Sequence, residues 1–486
     1  MAILQRLLRL TLWMAVALAT MVFIVFAVRA LDAYRSDPLA LWHTFVPDEL
    51  SRAEIDRTDL AGYMAAEAAL FAQVRQEVTD KLPEEDRRTF NRYYAQSPVY
   101  PGRFAQDFNR TYVLEPNGEM KGVAVFLHGL TDAPYSLRHV AKLYAERGFL
   151  GIAIRMPGHG TVPGGLTAAD YPDWLAATRL AMREARRRAG PDRPVHLVGY
   201  SNGAALALMH ALDALDDPEL VAPARIVLLS PMVGVTEFAR FAGLAAVPAI
   251  FPAFARAAWL NIIPEFNPFK YNSFPVHAAR ESFELTQALQ ANIQRHLTAG
   301  RLAGLPPVLT FQSVLDHTVS TQAVVDALHR HLSDNGSELV LFDINRGSHF
   351  DSLLTSRTDN AVGRLLPPAP RPFRAAIVTN RAAGSTQTEV RMTPAGSTTE
   401  EVRPLSTPYP ADVYSLSHIA VPFPLDDGLY GLTPDPADDF GVRLGNIAAR
   451  GEFGALIVGP QMLLRMSSNP FLPYMLERIA AGLPPQ

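Results

Sequence analysis

The chain has 486 residues, 48% hydrophobic and 19% charged, which allows two or three globular units and excludes a mostly disordered polymer. Its 44 basic and 48 acidic residues leave a net charge of −4, so composition gives no electrostatic case for nucleic-acid binding. It has no cysteine, which excludes disulfide frameworks, zinc ribbons, Fe–S clusters and thiol nucleophiles.

The stretch Leu10–Val28 carries no charge and no polar face. At 1.5 Å per residue it spans roughly the 30 Å hydrocarbon core of a bilayer. Arg6 and Arg9 precede it without a nearby acid, whereas Arg29 and Arg35 alternate with Asp32 and Asp37 after it. That asymmetry predicts an N-in anchor. A cleavable signal peptide is the alternative, disfavoured by the length of the apolar run. Either way the body is expected outside the cytoplasm, on the periplasmic face of the inner membrane if the cell is bacterial.

Residues 31–110 read as a helical segment, with Leu60–Val78 at helical spacing and a packing role. From Thr111 the pattern changes. Apolar runs of strand length at Gly122–Leu127, Leu150–Ile154, Val195–Val198, Ile226–Leu229, Val308–Gln312 and Leu339–Phe342 alternate with helical stretches. Such runs predict an α/β fold with a mostly parallel sheet covered on both faces. Between the fourth and fifth runs lies an insertion of about 75 residues, rich in proline and aromatics and too long for a plain connection. It reads as a cap, with Ala245–Phe254 as its apolar lid. Beyond residue 351, Phe373–Thr379, Glu389–Met392 and Glu400–Arg403 read as short strands unlike the sheet. Gly454–Ile479 reads as a closing helix interrupted near Asn469-Pro470.

The expected organisation is therefore anchor or signal peptide (1–30), N-terminal helical segment (31–110) and first core part (111–231). The cap (232–303), second core part (304–351), β-rich insertion (352–411) and closing part (412–486) follow.

Gly199-Tyr200-Ser201-Asn202-Gly203 sits between a strand and a helical run. A nucleophile on a sharp strand-to-helix turn needs small neighbours, here Gly199 and Gly203, and the helix start aims amides at a developing anion. A simple N-cap serine is the competing role for Ser201. His128-Gly129-Leu130 follows the strand Gly122–Leu127, so the amides of Leu130 and Asn202 are the candidate oxyanion donors. His128 reads as a structural hydrogen-bonder. Asp316, after the strand Val308–Gln312, can orient a histidine.

The segments V-F-L-H-G-L-T-D, R-M-P-G-H-G, V-G-Y-S-N-G and Q-S-V-L-D-H-T-V resemble the α/β-hydrolase superfamily. More narrowly they resemble its monoglyceride-lipase-like, serine aminopeptidase S33 branch, in a long membrane-anchored bacterial form. The resemblance covers about Thr111–Leu354 plus a C-terminal part. It implies a serine nucleophile, a mobile cap, no metal and no cofactor. It also implies a structural role for His159 in P-G-H-G. Two histidines compete to complete the triad. His349 comes 33 residues after Asp316, where the simplest relatives carry theirs. His418 follows the extra β segment and precedes a dense loop and the closing helix, which favours it. His317, adjacent to the acid, is poorly placed to bridge.

The expected activity is a serine esterase or lipase acting on apolar acyl esters, with a lipid or small-molecule ester as partner. Two alternatives stay open. A peptidase or amidase of the same fold needs a cap carboxylate pair for a free amine, with Glu265 and Glu284 as candidates. A non-catalytic envelope binding protein is the other.

Overall fold

The computed structural model describes residues 2–35, 38–234, 252–358, 360–447, 456 and 458–485. Most of the expected lid Ala245–Phe254 lies outside the described residues.

Helix Ala2–Arg35 opens the chain. Its stretch Arg9–Val28 has a mean hydropathy of 2.4 and is not buried against the rest of the protein. By length and composition it is able to cross a membrane. The helix Leu60–Val74 then buries Leu60, Tyr63 and Leu70, continuing as a wider turn to Thr79. From there to Thr111 turns dominate, so the helical segment is shorter than its sequence promised.

The central sheet contains β1 (Tyr112–Leu114), β2 (Gly122–Leu127), β3 (Phe149–Ile154), β4 (Val195–Tyr200) and β5 (Arg225–Leu229). A small hairpin, β6 (Trp259–Asn261) with β7 (Phe274–Pro275), stands apart from it. The sheet resumes with β8 (Val308–Ser313), β9 (Glu338–Phe342), β10 (Arg374–Asn380), β11 (Thr388–Thr393) and β12 (Glu401–Leu405). Its order is β1-β3-β2-β4-β5-β8-β9-β10-β11-β12. Pairing is parallel from β3 through β10 and antiparallel at both ends.

The strands are apolar at successive positions because both faces are covered. Val123, Val125 and Leu127 face one core with Leu197 and Leu228, under the helices Tyr171–Ala189 and Asn202–Asp216. Phe126, Val198, Leu229, Phe311 and Phe342 face the other, under Arg138–Glu146 and the closing helix Leu472–Ala480.

Two expectations change. The segment 352–411 is not separate from the sheet: Ala376 of β10 pairs in parallel with Val340 of β9, and β11 and β12 extend the same sheet. The second half of the insertion 232–303 is not a cap. Helix Val276–Thr298 buries Leu285, Leu289 and Ile293 in the main core. The closing helix is broken as expected, into Pro460–Arg465 and Leu472–Ala480.

Burial holds His43, His128, His196 and His329 at a pKa of about 3 and His210 at about 4, and it depresses His139 and His159 too. The unfolded chain binds protons at these sites through the ordinary histidine range, so stability falls as pH drops below about 6.5. Buried Asp132 and Glu265, whose carboxyls burial pushes up, work in the opposite sense but are fewer. At pH 5 each histidine held at about 3 or 4 costs on the order of 1–2 kcal/mol. Thermal unfolding followed by circular dichroism should show a midpoint markedly lower at pH 5 than at pH 7.

Candidate active site

Ser201 ends β4 and begins the helix Asn202–Asp216 with φ 55 and ψ −114. A positive φ is strained for a residue with a Cβ. Its amide donates to Leu229 O at 2.9 Å, and its carbonyl accepts from Ala204, Ala205 and Met232. The flanking glycines permit this turn. A Cβ on Gly203 would lie 2.1 Å from Leu127 O, and one on Gly199 would lie 2.5 Å from Gly203 O. Both obstacles are backbone and cannot swing away.

The turn aims the Ser201 hydroxyl at His418, whose Nε2 lies 2.9 Å from Oγ. His418 Nδ1 lies 2.7 Å from Asp316 Oδ2. Asp316 follows β8, and its Oδ1 accepts from the amides of Thr318 and Val319 at 2.8 and 3.1 Å. Burial pushes the Asp316 carboxyl up, but His418 and these two amides outweigh it and hold the group below its ordinary value. A hydroxyl facing an imidazole that is oriented by a buried carboxylate can pass its proton to the ring.

The other candidate histidines stand elsewhere. His349 is 72% exposed at its side chain and pairs with Asp412 at 3.2 Å, not with Ser201. His317 is exposed. His128 is buried and neutral; its Nδ1 donates to Gly129 O and its Nε2 accepts from the Met156 amide. His159 packs against it and donates to Pro157 O.

Gly129 brings the β2 loop against the serine, since a Cβ there would sit 3.3 Å from Ser201 Cβ. Among the described residues, the amides of Leu130 and Asn202 have no acceptor. Two unpaired N–H groups beside a hydroxyl can receive a developing oxyanion.

Several supports of this site were not singled out from the sequence. Tyr200 donates its hydroxyl to His418 O at 3.2 Å, and its ring lies 5.4 Å from the imidazole. Ser313 Oγ donates to Leu416 O at 2.7 Å, and Ser417 Oγ donates to Arg465 O at 2.7 Å. Lys270, from the insertion, donates to Leu130 O at 3.3 Å. Asp427, nine residues beyond His418, is fully buried. It accepts from Tyr135 Oη, Arg138, His139 and the amides of Leu429 and Tyr430. Burial alone would raise this carboxyl; His139 and Arg138 instead hold it well below the carboxylate range. The cluster fastens the loop that carries His418 to the helix Arg138–Glu146.

Among the described residues one group has metal-ligand geometry, Asp170, His277 and Glu281. It is internally satisfied, His277 on Asp170 at 3.0 Å and Glu281 accepting from the Tyr171 amide and Arg280.

Residues 118–344 match the family model described as serine aminopeptidase, S33. Over that stretch the chain is similar to the S33 family of α/β-hydrolases. A thermostable monoacylglycerol lipase from Bacillus sp. (strain H-257) is 29% identical over 84 residues, 17% of this chain. The chain spans about a third of that relative's length, 32%. Among solved structures, one from the work on the metagenome-derived lipolytic enzymes LipS and LipT is 19% identical. It covers 53% of this chain and 97% of that chain, with a TM-score of 0.38. A soluble variant of monoglyceride lipase from Saccharomyces cerevisiae, in complex with a substrate analog, is 11% identical. It covers 48% and 81%, with a TM-score of 0.37. Est1E from Butyrivibrio proteoclasticus with bound ferulic acid is 18% identical, over 53% and 94%, with a TM-score of 0.35.

Asp427→Asn keeps the size but removes the charge that Arg138 and His139 face. Arg138 keeps its ion pair with Asp438 but loses the fully buried one, so stability should fall by about 1–3 kcal/mol. Urea unfolding of the variant beside the parent measures this.

Proposed function

We propose that the protein is a serine hydrolase of carboxylic esters with apolar acyl groups, working through an acyl-enzyme. Ser201 is the nucleophile, His418 the general base and then acid, and Asp316 the group that orients the imidazole. The amides of Leu130 and Asn202 form the oxyanion hole. The observation that carries this reading is the 2.9 Å approach of His418 Nε2 to Ser201 Oγ, on a backbone held at positive φ.

The sequence of events follows from those positions. The imidazole takes the serine proton as Oγ attacks the ester carbonyl. Asp316 stabilises the imidazolium without accepting the proton. The tetrahedral oxyanion is met by the two free amides. The imidazolium protonates the departing alcohol, and water, deprotonated by the same ring, releases the acid.

An ester is favoured over a peptide by the state of the two insertion carboxylates. Buried Glu265 is spent on the amides of Asn272 and Ser273 at 2.9 and 2.8 Å, while exposed Glu284 faces Arg280 at 3.5 Å. They do not form a joint seat for a free amine. The apolar stretch Arg9–Val28, not buried against the rest of the protein, supports a membrane anchor, with the body outside the cytoplasm, and a lipid ester as substrate.

A chain-length series of nitrophenyl esters, run beside aminoacyl-nitroanilides, tests the activity. Ser201→Ala should lower ester turnover by about 10⁴-fold or more. A parent rate no higher than that of Ser201→Ala on every substrate would leave only a binding protein.

His418→Ala should abolish fluorophosphonate labelling of Ser201, whereas His349→Ala should leave it intact. The opposite pattern would assign the base to His349.

A further inference from the structure

The pole of the sheet opposite Ser201 carries an open cleft of about 650 Å³ that ester hydrolysis does not use. Strands β4, β5, β8, β9 and β10 run parallel, so their starts share this edge. Arg225, Glu338 and Arg374 open β5, β9 and β10 there, and Arg478 reaches in from the closing helix.

The three guanidiniums are not equivalent. Arg478 is matched to Glu338 in a two-point ion pair, at 3.0 and 2.7 Å. Arg225 is half-buried, and its side chain makes one hydrogen bond, Nη1 to Ile479 O at 3.2 Å. Among the described residues, no carboxylate lies within ion-pair distance of Arg225 or Arg374, and the Arg374 side chain makes no hydrogen bond. The chain nevertheless makes room for Arg225, because a Cβ on Gly482 would overlap its Nη1 at 1.1 Å.

A guanidinium has five donors, and leaving most of them idle in a partly dry place is unfavourable. Burial pushes the Arg225 group down from its ordinary pKa, partly offset by Tyr144 and Glu338, with Arg478 lowering it further. Neighbouring His196 is buried and neutral. The cleft thus holds three cations against two carboxylates, Glu338 and the exposed rim residue Asp334, an excess of one positive charge. Planar guanidinium forks suit the oxygens of a tetrahedral anion.

We propose that this cleft binds a phosphate group between Arg225 and Arg374, supplied free in solution or as a lipid headgroup. The Arg478–Glu338 pair forms a neutral wall that keeps the other two guanidiniums unpaired.

The full chain in neutral detergent is titrated with inorganic phosphate by calorimetry, ionic strength held constant with sodium chloride. Pelleting with phosphatidylcholine vesicles, with and without phosphatidylglycerol, tests the headgroup source. Saturable binding is expected for at least one probe. Arg374→Gln and Arg225→Gln should weaken it about tenfold or more, and Asp334→Asn should tighten it. Asp334 is exposed and, among the described residues, Arg374 carries no side-chain hydrogen bond, so their variants test the site even if Arg225→Gln fails to fold. Binding confined to phosphatidylglycerol vesicles and lost in Arg374→Gln identifies a headgroup. Absence of binding to both probes, or binding indifferent to Arg374→Gln and Asp334→Asn, overturns the proposal.

Discussion

The left-handed backbone of Ser201 is the constraint on which the candidate site depends. A positive φ on a residue with a side chain costs about 1–3 kcal/mol and persists only where the surroundings fix it. Here three contacts fix it. Gly203 lets the helix start lie on Leu127 O, Gly199 lets the strand end pass under that helix, and the serine amide stays bonded to Leu229 O. Relaxing the turn would break the close packing of β2, β4 and β5 at their ends. The strain is held by the sheet itself, and its result is a hydroxyl directed away from its own helix and toward a loop from 217 residues further along the chain.

That loop needs its own support, because no strand or helix carries His418. The chain supplies it from several directions: Tyr200 on the His418 carbonyl, Ser313 on the preceding carbonyl at Leu416, and the buried carboxylate of Asp427. The Asp427 cluster reaches Tyr135, Arg138 and His139, which follow the β2 loop carrying Leu130. One charged network thus ties together the segment that holds the imidazole and the segment that holds the Leu130 amide. Their separation is set by ion pairs and hydrogen bonds in the interior, where water does not screen them.

Much of this was readable in the sequence, for definite reasons. Strands buried on both faces write themselves as unbroken apolar runs, so β2, β3, β4, β5, β8 and β9 were found within a residue or two. The strand–glycine–serine–glycine–helix order marked Ser201. Strands β10 to β12 were visible as strands but not as part of the sheet. β12 is a solvent-facing edge, and its E-V-R-P-L pattern carries no signal of a partner. Helix Val276–Thr298 was misplaced into the cap because a length argument cannot tell where an insertion rejoins the core. The choice between His418 and His349 stayed open because both follow strand-like runs. Chain spacing does not encode which loop folds back over β4, and in three dimensions only His418 lies within hydrogen-bond distance of Ser201. Asp427 was invisible for a related reason: its five donors come from two segments nearly 300 residues apart in the chain.

The extra strands explain why the two ends of the sheet differ in chemistry. By adding β10 beside β9 in parallel, the chain extends the sheet and places Arg374 at the same edge as Arg225 and Glu338. The two antiparallel strands that follow bring the chain back toward the opposite edge, where Tyr409 packs under Asp343 O and the loop to His418 begins. The closing helix then crosses beneath, its Phe471 against Phe342 and its Arg478 on Glu338. One excursion of the chain therefore shapes both poles, leading to the imidazole at one and placing the Arg374 guanidinium at the other. A shorter connection from β9 to the histidine loop could satisfy the first pole alone, and it would leave Arg225 and Arg478 without Arg374.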